Sequence, residues 1–140
     1  MKNYKLELYS DFNQILLSDE EWEGDDGPTN WTDKNINEFA CKGTYIVGLG
    51  VIENDDHIIT LTLHDNPPFA DVDLWDHIVD IPFKAPSGEI YIGDEGIEIP
   101  KGEYVVRWSI KKLNEDSAEY KLDMWSGHLN DITVHKQLKK

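Results

Sequence analysis

The sequence predicts an all-β fold: an antiparallel β-sandwich of roughly eight to nine strands, with one short helix near residues 33–41. Three observations carry this. Extended runs with period-two alternation recur at nearly regular spacing. Turn chemistry falls between them, as in Ala85-Pro86-Ser87-Gly88 and Pro100-Lys101-Gly102, where proline fixes φ at a first corner and glycine tolerates a positive φ at a later one. The strand–helix alternation that builds parallel sheets is missing. A closed barrel suits the same pattern. At 140 residues, the span 1–140 fits one domain able to bury a core.

Tyr4 to Tyr9 alternates, with Leu6 and Leu8 on one face and Lys5 and Glu7 on the other, which reads as a strand with one wet face. Asn13 to Leu17 is a second, shorter one. Thr32 then suits a helix N-cap, and Ile36, Phe39 and Ala40 fall at the spacing of one helical face, ended near Gly43. Tyr45, Val47, Leu49 and Val51 share a strand face. Gly48 and Gly50 lie on the other, which suggests a ring or backbone packed close over it. Beyond the turn at Asn54-Asp55-Asp56, the run with Ile59, Leu61 and Leu63 completes a hairpin with that strand.

Asp65 to Asp71 is a loop by composition. Trp75, His77, Val79, Ile81 and Phe83 share parity with Asp76 and Asp80 opposite, and Pro82 marks a strand end or a sheet edge. Gly88 to Gly93 is short. Glu103 to Ile110 is long, with Tyr104, Val106, Trp108 and Ile110 inward and Arg107 outward. Asn114 to Ser117 turns the chain into Ala118 to Trp125, where Tyr120, Leu122 and Met124 face inward. Asp131 to His135 adds an edge strand, and the basic tail Lys136 to Lys140 frays.

Charge is the strongest compositional feature: 28 acids against 13 bases give a net charge of −15. That field repels nucleic acid and anionic membranes, and it attracts cationic proteins, including those that bind nucleic acid themselves. A lone Cys41 cannot form an internal disulfide or a cysteine-rich zinc site, and it fits a reducing compartment. Glu7 and Asp11 interrupt the start where a secretion signal needs an apolar core. No apolar run reaches the roughly 20 residues that cross a bilayer. The expected location is cytoplasmic.

No catalytic constellation stands out, and the expectation is a protein that is not an enzyme and needs no cofactor. The five histidines lack the spacing of a metal helix or zinc loop. Six serines, at 10, 18, 87, 109, 117 and 126, lack the local features of a hydrolase elbow. Cys41 reads as a small buried hydrophobe. Two metal readings stay open. His64 and Asp65 could meet Asp76 and His77 if their strand ends come together. Asp65, Asp71, Asp73 and Asp76 could supply oxygens to calcium, although their spacing matches no defined calcium loop.

The stretch Asp19-Glu20-Glu21-Trp22-Glu23-Gly24-Asp25-Asp26 puts six carboxylates in eight positions around one aromatic. Such a run cannot pack in a core and should form an exposed loop. The charges would speed encounter with a basic cleft, and the ring would supply a buried anchor. The plainer reading is a solvated loop whose tryptophan folds back on the domain.

Trp31-Thr32-Asp33 before a helix, Gly43 before a strand, Pro82-Phe83, and Ile99-Pro100-Lys101-Gly102-Glu103-Tyr104 leading into a long strand together resemble the competence protein J family. Its members are bacterial inhibitors of the nuclease that acts as DNA enters the cell. Trp75-Asp76-His77-Ile78-Val79 with Pro86-Ser87-Gly88 also looks like a set of small bacterial proteins of similar length. The likeness runs from about Lys5 to Trp125 and rests on turn chemistry and core aromatics, features of fold more than of function. It implies a β-sandwich that neutralises a nuclease. It carries over no functional residue.

The combined expectation is an acidic cytoplasmic module that binds a basic protein, a nuclease or toxin, as an inhibitor or immunity protein. Its contact residues would be Asp19, Glu20, Glu21, Trp22, Glu23, Asp25 and Asp26. The alternative is a metal- or small-ligand-binding β domain using His64, Asp65, Asp76 and His77.

Overall fold

The alternating runs form two sheets, and the chain crosses between them repeatedly. The computed structural model describes residues 2–10, 12–24 and 31–138. Its elements are β1 (Lys2–Tyr9), β2 (Gln14–Asp19), α1 (Asp33–Glu38), β3 (Ala40–Lys42), β4 (Ile46–Gly50), β5 (Asp56–His64), β6 (His77–Ala85), β7 (Glu89–Ile92), β8 (Glu95–Glu98), β9 (Gly102–Asn114), β10 (Ser117–Ser126) and β11 (Thr133–Lys136). One sheet has six strands in the order β1-β5-β10-β9-β6-β11, the other five in the order β3-β4-β2-β7-β8. The fold is therefore an all-β sandwich, not one closed barrel. Its eleven strands include β3 and β8, which the sequence pattern does not set apart.

The inner faces close over Leu17, Leu49, Ile81, Ile92, Val106, Leu122 and their neighbours, all without exposed surface. Each such side chain contributes about 1.5–3 kcal/mol against the entropy of ordering it. Trp108 lies at the centre. Its ring stacks on Tyr120 with centroids 5.2 Å apart, and its indole N–H donates to the Gly50 carbonyl at 2.8 Å. Gly50 has no room for a side chain, since a Cβ there would lie 2.9 Å from the Phe39 Cα. The backbone packs close at Gly50, as the alternating glycines suggest.

Four expectations need correction. First, the helix stops at Glu38. Thr32 and Asn35 form a capping box at its start, but Phe39 takes a left-handed φ of 58° and ends it. Ala40 and Cys41 then pair with Leu49 and Gly48 as a strand, and Ile36 is left exposed. Second, β4 and β5 form no hairpin, because they belong to opposite sheets. Third, Arg107 points away from the core yet is buried. Fourth, the tail is tied down through residue 138: the Leu138 N–H donates to His77 Nδ1 at 3.0 Å, and Gln137 donates to the Asn37 carbonyl at 2.6 Å. Lys139 and Lys140 lie outside the described residues.

Arg107 is buried because of a parallel pairing, β5 with β10. β6 runs in the same direction as β5, with β10 and β9 between them. Parallel strands need a long return, and here residues 65–76 cross the outer face of the six-stranded sheet as a strap. Beneath it, Arg107 grips Asp80 through Nε to Oδ1 at 2.7 Å and Nη2 to Oδ2 at 3.0 Å. Its Nη1 donates to the Pro68 carbonyl of the strap at 2.8 Å, and the Trp125 ring stacks against the guanidinium. Pro82 sits where β11 has already ended, since β11 pairs only with Ile78 to Asp80. Its missing donor therefore faces a sheet edge, as expected.

Candidate functional site

Alternation in β7 and β8 turns Ile90, Ile92 and Ile97 into the core and leaves Glu89, Tyr91 and Glu98 on the outer face of the five-stranded sheet. Glu89 lies directly opposite Glu98. On the other side of β7, Asp19 faces Ile90, and the Glu20 N–H donates to the Glu89 carbonyl at 2.9 Å, so Glu20 takes the next rung. Glu20, Glu89 and Glu98 thus form a row of exposed carboxylates across three adjacent segments. Ser18, Tyr91 and Gly96 make the neighbouring row, with the half-exposed Tyr91 ring lying against Gly96. A shallow depression of about 230 Å³ between Glu89, Tyr91, Ile97 and Glu98 marks the surface.

Among the described residues, no Lys or Arg forms an ion pair with any carboxylate of the row. A hydrogen bond with Glu89, and then the Glu89 charge, hold the Glu20 carboxyl above its usual range. Like charges directly opposite on neighbouring strands destabilise a sheet.

The acidic run divides into two roles. Asp19 is buried at the end of β2, where Oδ2 accepts from the Glu21 N–H at 2.9 Å and Oδ1 accepts from the Ser87 hydroxyl at 2.9 Å. It ties the β2 end to the turn before β7, so the exposed loop begins one residue later. Glu20, Glu21 and Glu23 are exposed and Trp22 is half-buried. Asp25 and Asp26 lie outside the described residues.

The two metal readings find no common site. His64 shares a rung with Trp125, Val105 and Pro82, while His77 shares one with Ile110 and Tyr120 at the opposite end of the sheet. His64 bonds Asp123 at 2.7 Å, and Asp76 accepts from the Lys112 N–H at 2.7 Å. His77 is buried, donates from Nε2 to the Glu38 carbonyl at 2.7 Å and accepts at Nδ1 from Leu138. Those partners fix it in the neutral form, and burial lowers its pKa. Asp71 turns its carboxylate onto the N–H groups of Asp73 and Leu74. Among the described residues, no three His, Cys, Asp or Glu side chains form a group that could hold a metal.

One arrangement that sequence spacing does not reveal is chemically suggestive. Ser10 Oγ lies 2.8 Å from His57 Nε2, and His57 Nδ1 lies 3.6 Å from Glu53 Oε1, which also accepts from the Tyr120 hydroxyl at 2.7 Å. Ser10 has no exposed surface, and its hydroxyl donates to the Glu53 carbonyl at 2.9 Å. The Asp55 carbonyl, at 3.3 Å, is a further acceptor for the same hydroxyl, so the buried Ser10 is tied into the backbone rather than presented to a substrate. The network is a staple between β1 and the segment before β5. Burial, followed by the hydrogen bond to Glu53, pushes the Tyr120 hydroxyl pKa up.

A sandwich with eleven strands among the described residues and a strapped outer face defines the class of protein: a small all-β fold with three glutamates aligned across one end of a sheet. Two solved structures share that fold. ComJ from Bacillus subtilis, an inhibitor of the DNA-degrading activity of NucA, superposes with a TM-score of 0.73 at 17% identity, over 90% of this chain and 98% of that one. The product of crocagin biosynthetic gene J superposes with a TM-score of 0.55 at 12% identity, over 90% and 96%. At these identities the likeness is one of fold. No family model matches the sequence, and no curated protein sequence matches it significantly.

Proposed function

We propose that the protein is an acidic binding module that meets the cationic face of a nuclease or toxin and blocks it. The observation that carries this reading is the Glu20–Glu89–Glu98 row, which keeps like charges in register at a cost to the sheet. A nuclease grips phosphates with Lys and Arg, and carboxylates accept from the same donors. The row extends into Glu21, Trp22 and Glu23, and by sequence into Asp25 and Asp26. Tyr91 and Trp22 offer the aromatic contacts that concentrate binding energy. The shared fold of ComJ, itself a nuclease inhibitor, supports the same reading. The protein acts as a binder rather than an enzyme, and the reducing cytoplasm suits its free, buried Cys41.

The test is inhibition of DNA degradation by a purified cationic nuclease, NucA first, with the chain titrated at low and high salt. We expect inhibition that weakens with salt, and a loss of at least about 10-fold in the triple variant E20Q/E89Q/E98Q. Full inhibition by the triple variant would overturn the assignment of the row.

A further inference from the structure

The strap over the six-stranded sheet is held by its backbone and exposes several of its apolar side chains. Two of its carbonyls are bonded to the domain, Pro68 O to the buried Arg107 and Val72 O to Lys136, while the Asp71 carboxylate accepts from the N–H groups of Asp73 and Leu74 within the strap. Three of its apolar side chains face outward, while Ala70 and Trp75 are half-buried. Phe69 is 88% exposed, the most exposed large apolar side chain among the described residues, and Val72 and Leu74 are 42% and 49% exposed. A loop under no constraint would turn such side chains inward. Here Pro67-Pro68 and the Arg107 bond fix the backbone so that it cannot. A rigid loop presenting an aromatic with two aliphatics meets the requirements of a protein-contact hot spot: large apolar area, low ordering cost and a fixed position.

We infer that the strap is a second docking site, and that its occupant is a protein with an apolar pocket rimmed by Lys and Arg. The strap's four aspartates, Asp65, Asp71, Asp73 and Asp76, outnumber the ammonium bonded to it, that of Lys136, and set the charge of that rim. The net charge of −15 disfavours the other occupants, since a second copy, an anionic membrane and nucleic acid are all repelled. The site lies on the outer face of the six-stranded sheet and the carboxylate row on that of the other, so the two faces can be occupied separately. The inference stands independently of the row.

Photo-crosslinking through benzoylphenylalanine at position 69, in the cells that make the protein, tests it, with position 113 on the β9–β10 hairpin as the control. The expected result is an adduct at 69, absent at 113, with one identifiable cationic protein. That purified protein should bind Phe69→Ser about 30-fold more weakly than the parent chain, with no change in melting temperature. Asp73→Lys should slow its association, while E20Q/E89Q/E98Q should leave its affinity within a factor of about 3. The inference is overturned if the adducts are absent, if they contain only the chain itself, or if Phe69→Ser binds as tightly as the parent. Failure of the carboxylate row in the nuclease assay would leave these outcomes untouched.

Discussion

Glu89 and Glu98 face each other directly across β7 and β8, two carboxylates in register at the edge of a sheet. Neither forms an ion pair with a Lys or Arg among the described residues. Stability alone would favour threonine or lysine at one of the two positions. Glu98→Thr should therefore raise the melting temperature, by about 1–4 °C, while weakening binding to a cationic partner. Thermal scans of both proteins check the first half, and a melting temperature below that of the parent would contradict it.

The Glu20 carboxyl makes the same point through pH. A hydrogen bond with Glu89 and the Glu89 charge hold its folded-state pKa above the ordinary 4.5. Because that pKa is raised, the associated stability is complete below about 4.5 and is lost as pH rises through the raised value. Above that window the row carries its full repulsion. Melting temperature followed from pH 4 to pH 7 should fall more in the parent chain than in Glu20→Gln. Parallel curves would mean that Glu20 and Glu89 are uncoupled.

Arg107 and Asp80 form the buried ion pair that holds the strap. Removing Arg107 takes two hydrogen bonds from the buried Asp80 carboxylate and leaves it only His135 Nε2, 2.7 Å from Oδ2. Arg107→Met should cost about 3–5 kcal/mol and speed amide exchange in residues 65–76. The double variant R107M/D80L should recover much of the stability, but not the bond to Pro68. Chemical denaturation with hydrogen exchange separates the two effects.

His77 is held neutral by burial and by its two partners. Its folded-state pKa is depressed, so its contribution is complete above about 6.5 and is lost as pH falls through the folded value. Protonation at Nδ1 would also break the bond from Leu138. His77→Gln, which can donate and accept at similar positions, should flatten the decline in stability between pH 6.5 and pH 5. An unchanged pH profile would show that another group governs it.

Period-two alternation made most strands readable, because each buries one face and that face shows as Leu, Ile, Val or an aromatic at every second residue. Ala40 to Lys42 and Glu95 to Glu98 are too short to show a period, and their pairing depends on partners distant in sequence. The left-handed turn at Phe39 overrode a helical spacing that sequence alone favours. The β4–β5 turn looks like a hairpin from its residues, and only the sheet order shows that it joins two layers. The candidate site was legible in part. The exposed acids after Asp19 are visible as composition, but Asp19 itself needed the Ser87 contact to reveal its structural role. Glu89 and Glu98 could have been suspected from acids alternating with isoleucines around Gly93-Asp94, but their alignment with Glu20 requires the β2–β7 register. Arg107 reads as solvent-facing because nothing local announces a strap that returns over it.

If the carboxylates of the five-stranded sheet meet a positively charged protein, their charge must govern how fast the two associate. The most direct measurement is the association rate with a cationic nuclease as a function of ionic strength, for the parent chain and for E20Q/E89Q/E98Q. The rate should fall steeply with salt in the parent and be both slower and flatter in the variant. Superimposable salt dependences for the two proteins would contradict such a contact.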